Sequence, residues 1–200
     1  SLSDILGSLH TAGLVHADIK PANVVIDSRS RPYLLDFGTA CVEMSRTKPG
    51  HFRGTLGYAA PEQLQGQALQ PETDVYSLGI LLYRLITGRL PYPEDDPKAL
   101  AYLPLATLPE PISALKPGLP QALAALVMQM LVRSPDLRPQ GATALSKKLR
   151  ESLGSPAMPI LIGMEQARSA LRSLVSVAVR GQGGVVVVYG KPGSGRRSII

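Results

Sequence analysis

The chain predicts a mainly α (α+β) domain bearing a small β-hairpin, followed by the opening of an α/β unit. Three observations carry this. Apolar residues recur at three- and four-residue spacing from Leu2 to Leu9, from Val75 to Ile86 and from Leu123 to Leu131, the mark of helices with one buried face. Two short β-rich runs, Val24-Val25-Ile26 and Tyr33-Leu34-Leu35, flank the polar turn Asp27 to Arg31, which is hairpin chemistry. Much later, Val185-Val186-Val187-Val188-Tyr189 reads as a buried strand that runs directly into a glycine-rich loop.

Composition sets the bounds. Two hundred residues with 44% hydrophobic content are enough for one packed domain and part of another. The net charge of +6 is uneven: Lys and Arg number 15 against 13 Asp and Glu up to Arg150, and 6 against 2 beyond it. A solvated helix face and a phosphate-facing loop account for that excess, so no nucleic-acid contact is expected. Cys41 is the sole cysteine, which excludes an intrachain disulfide and fits a reducing cytoplasm. No apolar run approaches the length of a membrane span, and no membrane contact is expected of this segment.

Taken in order, Leu2, Ile5, Leu6 and Leu9 define the first helix, with Gly13 as its stop. It leads into His16-Ala17-Asp18-Ile19-Lys20-Pro21-Ala22-Asn23, and after the hairpin into Asp36-Phe37-Gly38. A hairpin brings its two ends together, so Asn23 and Asp36 become neighbours in space. The residue types suit a metal-bound phosphate. Asp18 can take a proton from a hydroxyl, Lys20 can neutralise a phosphoryl group, and Asn23 with Asp36 can offer hard oxygen ligands to Mg2+.

From Thr39 to Arg53 the sequence turns polar and mixed, and then gives Gly54-Thr55-Leu56-Gly57-Tyr58-Ala59-Ala60-Pro61-Glu62. Glu72 to Gly79 opens the most apolar helix, with Val75, Leu78, Leu82, Leu85 and Ile86 on one stripe and Gly88 as its stop. Asp74, in its first turn, reads from its type and position as a charge that favours the positive helix end. The proline-rich stretch to Pro120 predicts one short helix around 99–103 and a long loop. Leu123, Leu126, Val127, Met130 and Leu131 form a helical stripe in which the methionine is core filler. Arg133-Ser134-Pro135-Asp136-Leu137-Arg138-Pro139 precedes a last helix from Ala142 to Leu153.

The order and spacing of these motifs resemble the C-terminal lobe of serine/threonine protein kinases, over about residues 1–152. The catalytic loop and the magnesium loop correspond to 16–23 and 36–38, and the substrate-receiving segment closes with Ala60-Pro61-Glu62. What the resemblance implies is a protein-kinase-like C-lobe that uses ATP and Mg2+ to phosphorylate a protein Ser or Thr. Asp18, Lys20 and Thr55 would be catalytic, Thr55 hydrogen-bonding the other two; Asn23 and Asp36 would hold metal. His16, Phe37, Gly38, Glu62, Asp74 and Arg138 would be structural, with Arg138 paired to Glu62 and Asp74 holding the catalytic-loop backbone. It further implies that the chain starts inside the domain, with the ATP-covering lobe upstream, so that this piece alone would be inactive.

A second domain is expected after a linker at 153–159. Residues 160–200 resemble the opening of P-loop, AAA-type signalling ATPase domains found behind bacterial kinase domains, an α/β NTPase fold. Gly190, Gly193, Gly195 and Arg196 are the nucleotide-binding candidates. Arg196 stands where the phosphate lysine belongs and Arg197 where a magnesium-binding hydroxyl belongs. Nucleotide binding without hydrolysis and a purely structural loop both remain open. The rival reading for the whole chain is a kinase-shaped scaffold that acts by protein binding through this second module; the intact set Asp18, Asn23 and Asp36 argues for the enzyme.

One departure generates a prediction. Ala17 replaces the arginine that in many kinases pairs with a phosphorylated activation segment, so activity should not be gated there by phosphate. A full-length protein carrying Ser45→Ala and Thr47→Ala should retain its phosphoryl transfer in a radiolabel assay, and abolished transfer would refute the idea.

Overall fold

The computed structural model describes residues 1–28, 31–42, 44, 52–93 and 95–152. Ser45 and Thr47, the linker at 153–159 and the glycine-rich loop with Gly190, Gly193, Gly195 and Arg196 lie outside the described residues. Helix α1 (Leu2–Thr11) turns Leu2, Ile5, Leu6 and Leu9 to the interior, and Gly13 (φ +71°) reverses the chain after it. Two small antiparallel pairs follow. Strand β1 (Leu14–Val15) pairs with β4 (Cys41–Val42), and β2 (Val24–Ile26) pairs with β3 (Pro32–Leu34) in the register Val24 to Leu34. The Asp27 amide donates to the Arg31 carbonyl at 3.1 Å and closes the hairpin.

Helices make up the rest: α2 (Pro61–Leu64), α3 (Pro71–Thr87), α4 (Pro97–Ala106), α5 (Ile112–Leu115), α6 (Gln121–Met130) and α7 (Ala142–Ser152). The centre is α3, which is apolar on two sides. Val75, Leu78 and Leu81 meet Leu6, Ile19, Leu34, Met130 and Leu145 on one side. Tyr76, Ile80 and Tyr83 meet Tyr58, Ile112, Leu123 and Val127 on the other. Burying two faces of one helix takes apolar residues on both, and from Val75 to Tyr83 only Ser77 interrupts the apolar run. At Gly79 an added Cβ would lie 2.8 Å from the Met130 Cβ, so the glycine is what allows α3 and α6 to approach. Gly88 (φ +84°) ends α3 by donating its amide to the Arg84 carbonyl.

Two expectations need correction. Leu85 is exposed: it lies on the same side of α3 as Leu78 and Leu81, but one turn past Leu81, the last buried residue on that side. The proline-rich stretch holds more helix than its composition suggested. Pro97 occupies the first turn of α4, where a missing amide costs nothing, Asp96 caps that end by accepting from the Lys98 amide, and Pro111 starts α5. Among the described residues no helix is long and apolar enough to cross a membrane.

One tie across the fold is Arg138, whose side chain is fully buried. All five of its N–H groups are used. Nε donates to the Val132 carbonyl, one terminal nitrogen to Glu62 Oε1 at 2.7 Å and the Glu72 carbonyl, and the other to Glu62 Oε2 at 2.8 Å and the Arg133 carbonyl. Its guanidinium also lies 4.8 Å from the centre of the Tyr76 ring. The parallel pair to Glu62 is the geometry that suits a planar guanidinium, and it welds α2, the start of α3 and the loop before α7. Arg138→Met should therefore destabilise the fold by about 3–5 kcal/mol by stranding the Glu62 carboxylate, while adding Glu62→Leu should recover part of the loss. Urea unfolding followed by tyrosine fluorescence checks this; a single-variant cost below about 1 kcal/mol would contradict it.

Candidate active site

The loop from His16 to Asn23 is held from beneath by one carboxylate. Asp74, fully buried in the first turn of α3, accepts from the His16 amide and the Ala17 amide, each at 2.9 Å, and from His10 Nε2 at 2.8 Å. Taking both amides on one side chain curls the backbone, and Ala17 sits in the left-handed region at φ +64°. Ile19, fully buried in the core, pins the next turn. Asp18 lies between these two anchors and Lys20 just after the second, and their side chains meet.

Three functional groups then close on one another. Lys20 Nζ donates to Asp18 Oδ2 at 2.6 Å and to Thr55 Oγ1 at 2.8 Å, and the Thr55 hydroxyl donates to Asp18 Oδ1 at 2.8 Å. Asn23 Nδ2 adds a bond to Asp18 Oδ2 at 3.1 Å and one to the Asp18 carbonyl at 2.8 Å. Asp18 and Asn23 are buried and Lys20 is partly exposed, so charge-assisted bonds here are little screened. A carboxylate offers about four acceptor positions. Thr55 takes one on Oδ1 and Lys20 and Asn23 take those on Oδ2, which leaves Oδ1 able to accept one more hydroxyl.

Asp36 stands apart from this network. The Leu35 amide donates to the Asn23 carbonyl at 2.8 Å, which places Asp36 beside Asn23 through the backbone. Its own carboxylate is exposed and accepts from the Gly38 amide at 3.2 Å, with the residue at φ +61°. Asn23 Nδ2 is spent on Asp18, which leaves the Asn23 Oδ1 and the Asp36 carboxylate as oxygens of the type that could ligate a metal. Two such ligands suit Mg2+, which keeps waters and phosphate oxygens in its remaining positions. Among the described residues no cluster of three or more His, Cys, Asp or Glu could hold a metal unaided.

His16 links the two loops. A carbonyl can only accept, so Nε2 carries the proton it shares with the Leu35 carbonyl at 3.0 Å, and Nδ1 accepts from the Asp18 amide at 3.3 Å. The Phe37 ring meets the imidazole edge-on at 5.0 Å, and Thr39 Oγ1 donates to the His16 carbonyl. Glu62, Asp74 and Arg138 lie in the scaffold beneath and touch none of the reactive groups directly.

Two residues here were invisible in the sequence. His10 sits in the last turn of α1 with no motif around it, yet it supplies the third donor to Asp74. Gln63 follows Pro61-Glu62 with no signal of its own, and its amide contacts three separate backbone segments. Neither type nor spacing could single them out, because both act through backbone atoms that meet only after folding.

Comparison with known proteins gives concordant findings. A family model described as the protein kinase domain matches residues 2–149. The chain is 37% identical over 152 residues to a probable serine/threonine-protein kinase of Streptomyces coelicolor, covering 74% of this chain and 23% of that protein. It is 34% identical over 169 residues to the serine/threonine-protein kinase PknB of Mycobacterium tuberculosis, covering 82% and 27%. The chain thus spans about a quarter of the length of these relatives. Among solved structures, the Cydia pomonella granulovirus kinase PK-1 matches with a TM-score of 0.61 at 22% identity, over 74% of this chain and 55% of that one, a likeness of fold.

Proposed function

The chain belongs to the protein kinase domain family, and from that premise we propose that it carries the catalytic lobe of a serine/threonine protein kinase. The observation that supports this best is the closed triangle of Asp18, Lys20 and Thr55, assembled from two loops. A scaffold that only bound partners would have no use for a buried carboxylate with one acceptor position still open.

In this reading Asp18 Oδ1 accepts the hydrogen bond of a protein Ser or Thr hydroxyl, orients its oxygen for attack on phosphorus, and receives the proton as the new P–O bond forms. Lys20 stands beside Asp18 and stabilises the negative charge carried by the phosphoryl group in flight. Thr55 fixes the distance between those two side chains and couples them to the segment that receives the substrate. Asn23 and Asp36 would hold the metal. Magnesium-bound ATP supplies the transferable γ-phosphoryl group and a leaving group whose charge is neutralised. ADP leaves with the bridging oxygen.

The same proposal extends to the rest of the chain on sequence grounds. Residues 1–152 form the kinase lobe, 153–159 a linker, and 160–200 the start of a P-loop regulatory module whose nucleotide contacts would fall on Gly190, Gly193, Gly195 and Arg196. The lone Cys41 supports a reducing, cytoplasmic setting.

Asp18→Asn in the full-length protein should lower transfer from radiolabelled ATP to a protein substrate by about 10²–10⁴-fold and leave the KM for ATP nearly unchanged, because the carboxamide keeps the shape and loses the base. Undiminished transfer by that variant would overturn the assignment.

A further inference from the structure

We infer that Gln63 is a positioning residue, which holds Thr55 in register with Asp18 by closing the base of the 53–60 segment against the catalytic loop. The inference rests on the kinase reading above.

The Gln63 side chain is buried at the start of α2, only 3% exposed. Its Oε1 accepts from the Ala60 amide at 2.9 Å, and its Nε2 donates to the Ala17 carbonyl at 2.8 Å and to the Arg53 carbonyl at 3.2 Å. The orientation of the amide is forced, since the Ala60 N–H can only donate and the two carbonyls can only accept. Reaching back from the third helical position to the amide before the helix is ordinary capping. The other two bonds leave the helix altogether.

Where they go is the point. Arg53 and Ala60 are the two ends of the segment that carries Thr55, so one carboxamide fixes the span of that segment. The third bond ties the same amide to the carbonyl of Ala17, the residue immediately before Asp18. Thr55 and Asp18 are therefore each within two residues of an atom held by Gln63, and their 2.8 Å bond is set from both sides. Gly54 confirms how tightly the two segments are drawn together. At φ +115°, an added Cβ there would lie 2.8 Å from the Ala17 carbonyl oxygen and 3.2 Å from Gln63 Nε2, so no side chain fits between them. A carboxamide of this length is the neutral side chain that can accept once and donate twice across that gap.

Two variants of the full-length protein test this, Gln63→Met and Gln63→Glu, compared with the unsubstituted protein in steady-state phosphoryl transfer across pH. Gln63→Met keeps length and volume but loses all three bonds. Gln63→Glu keeps the acceptor and turns oxygens toward two carbonyls, until protonation of the buried carboxyl returns one donor at low pH. Both should lower kcat about ten- to hundredfold at neutral pH, the cost of a small misplacement at a reacting centre. The ratio of Gln63→Glu to unsubstituted kcat should rise as pH falls, while that of Gln63→Met stays flat. The ionisable groups around Gln63, which are Asp18 and Lys20 on the catalytic loop, Arg53 on the incoming segment and the Glu62–Arg138 pair, are common to all three proteins and divide out of the ratio. A loss of folded protein would not reverse at low pH. Unchanged kcat in either variant, or a Gln63→Glu deficit independent of pH, would overturn the inference and leave the kinase reading standing. No transfer by the unsubstituted protein would end both. Should Gln63→Glu not fold, the kcat of Gln63→Met per folded molecule decides alone.

Discussion

The structure depends on one buried carboxylate. Asp74 has no access to water, and an unpaired charge in that position would cost several kcal/mol. Its three donors, His10 Nε2 and the amides of His16 and Ala17, remove that cost and at the same time dictate the course of the chain. Both amides point down at α3, so the backbone between them must curl through a left-handed alanine. That curl turns the Ala17 carbonyl outward to Gln63 and presents Asp18 to Lys20 and Thr55. A helix whose two faces are buried in separate apolar clusters is the rigid base such an anchor requires.

Arg138 plays the corresponding part on the other side. With every N–H group engaged, it fixes Glu62 on α2 and the opening of α3 relative to each other. Gln63, the next residue, inherits its position from that pair. The path from core to chemistry is short: Arg138 sets Glu62, α2 sets Gln63, and Gln63 spans Arg53, Ala60 and Ala17. Asp18, Lys20 and Thr55 are thus placed by buried groups that lie beneath them.

Much of this was legible in the amino-acid order. The helical stripes of α1 and α6 and the two arms of the hairpin follow from spacing alone, because each has one face in the core. Reading failed where that assumption fails. A helix buried on two sides, as α3 is, carries apolar residues that no single stripe holds, and Leu85, on the side of Leu78 and Leu81, lies one turn past the last of them that is buried. Prolines at helix starts resemble loop composition, which hid the length of α4 and the existence of α5. His10 and Gln63 escaped because a polar side chain that bonds to distant backbone leaves no periodic trace.

The most direct measurement is amide hydrogen exchange at His16 and Ala17, in the unsubstituted full-length protein and in its Asp74→Asn variant. If the buried carboxylate holds the catalytic loop, both amides are protected in the former and exchange at least about tenfold faster in the latter, with Leu126 and Val127 in α6 unchanged. Equal protection of His16 and Ala17 in the two proteins would contradict the account.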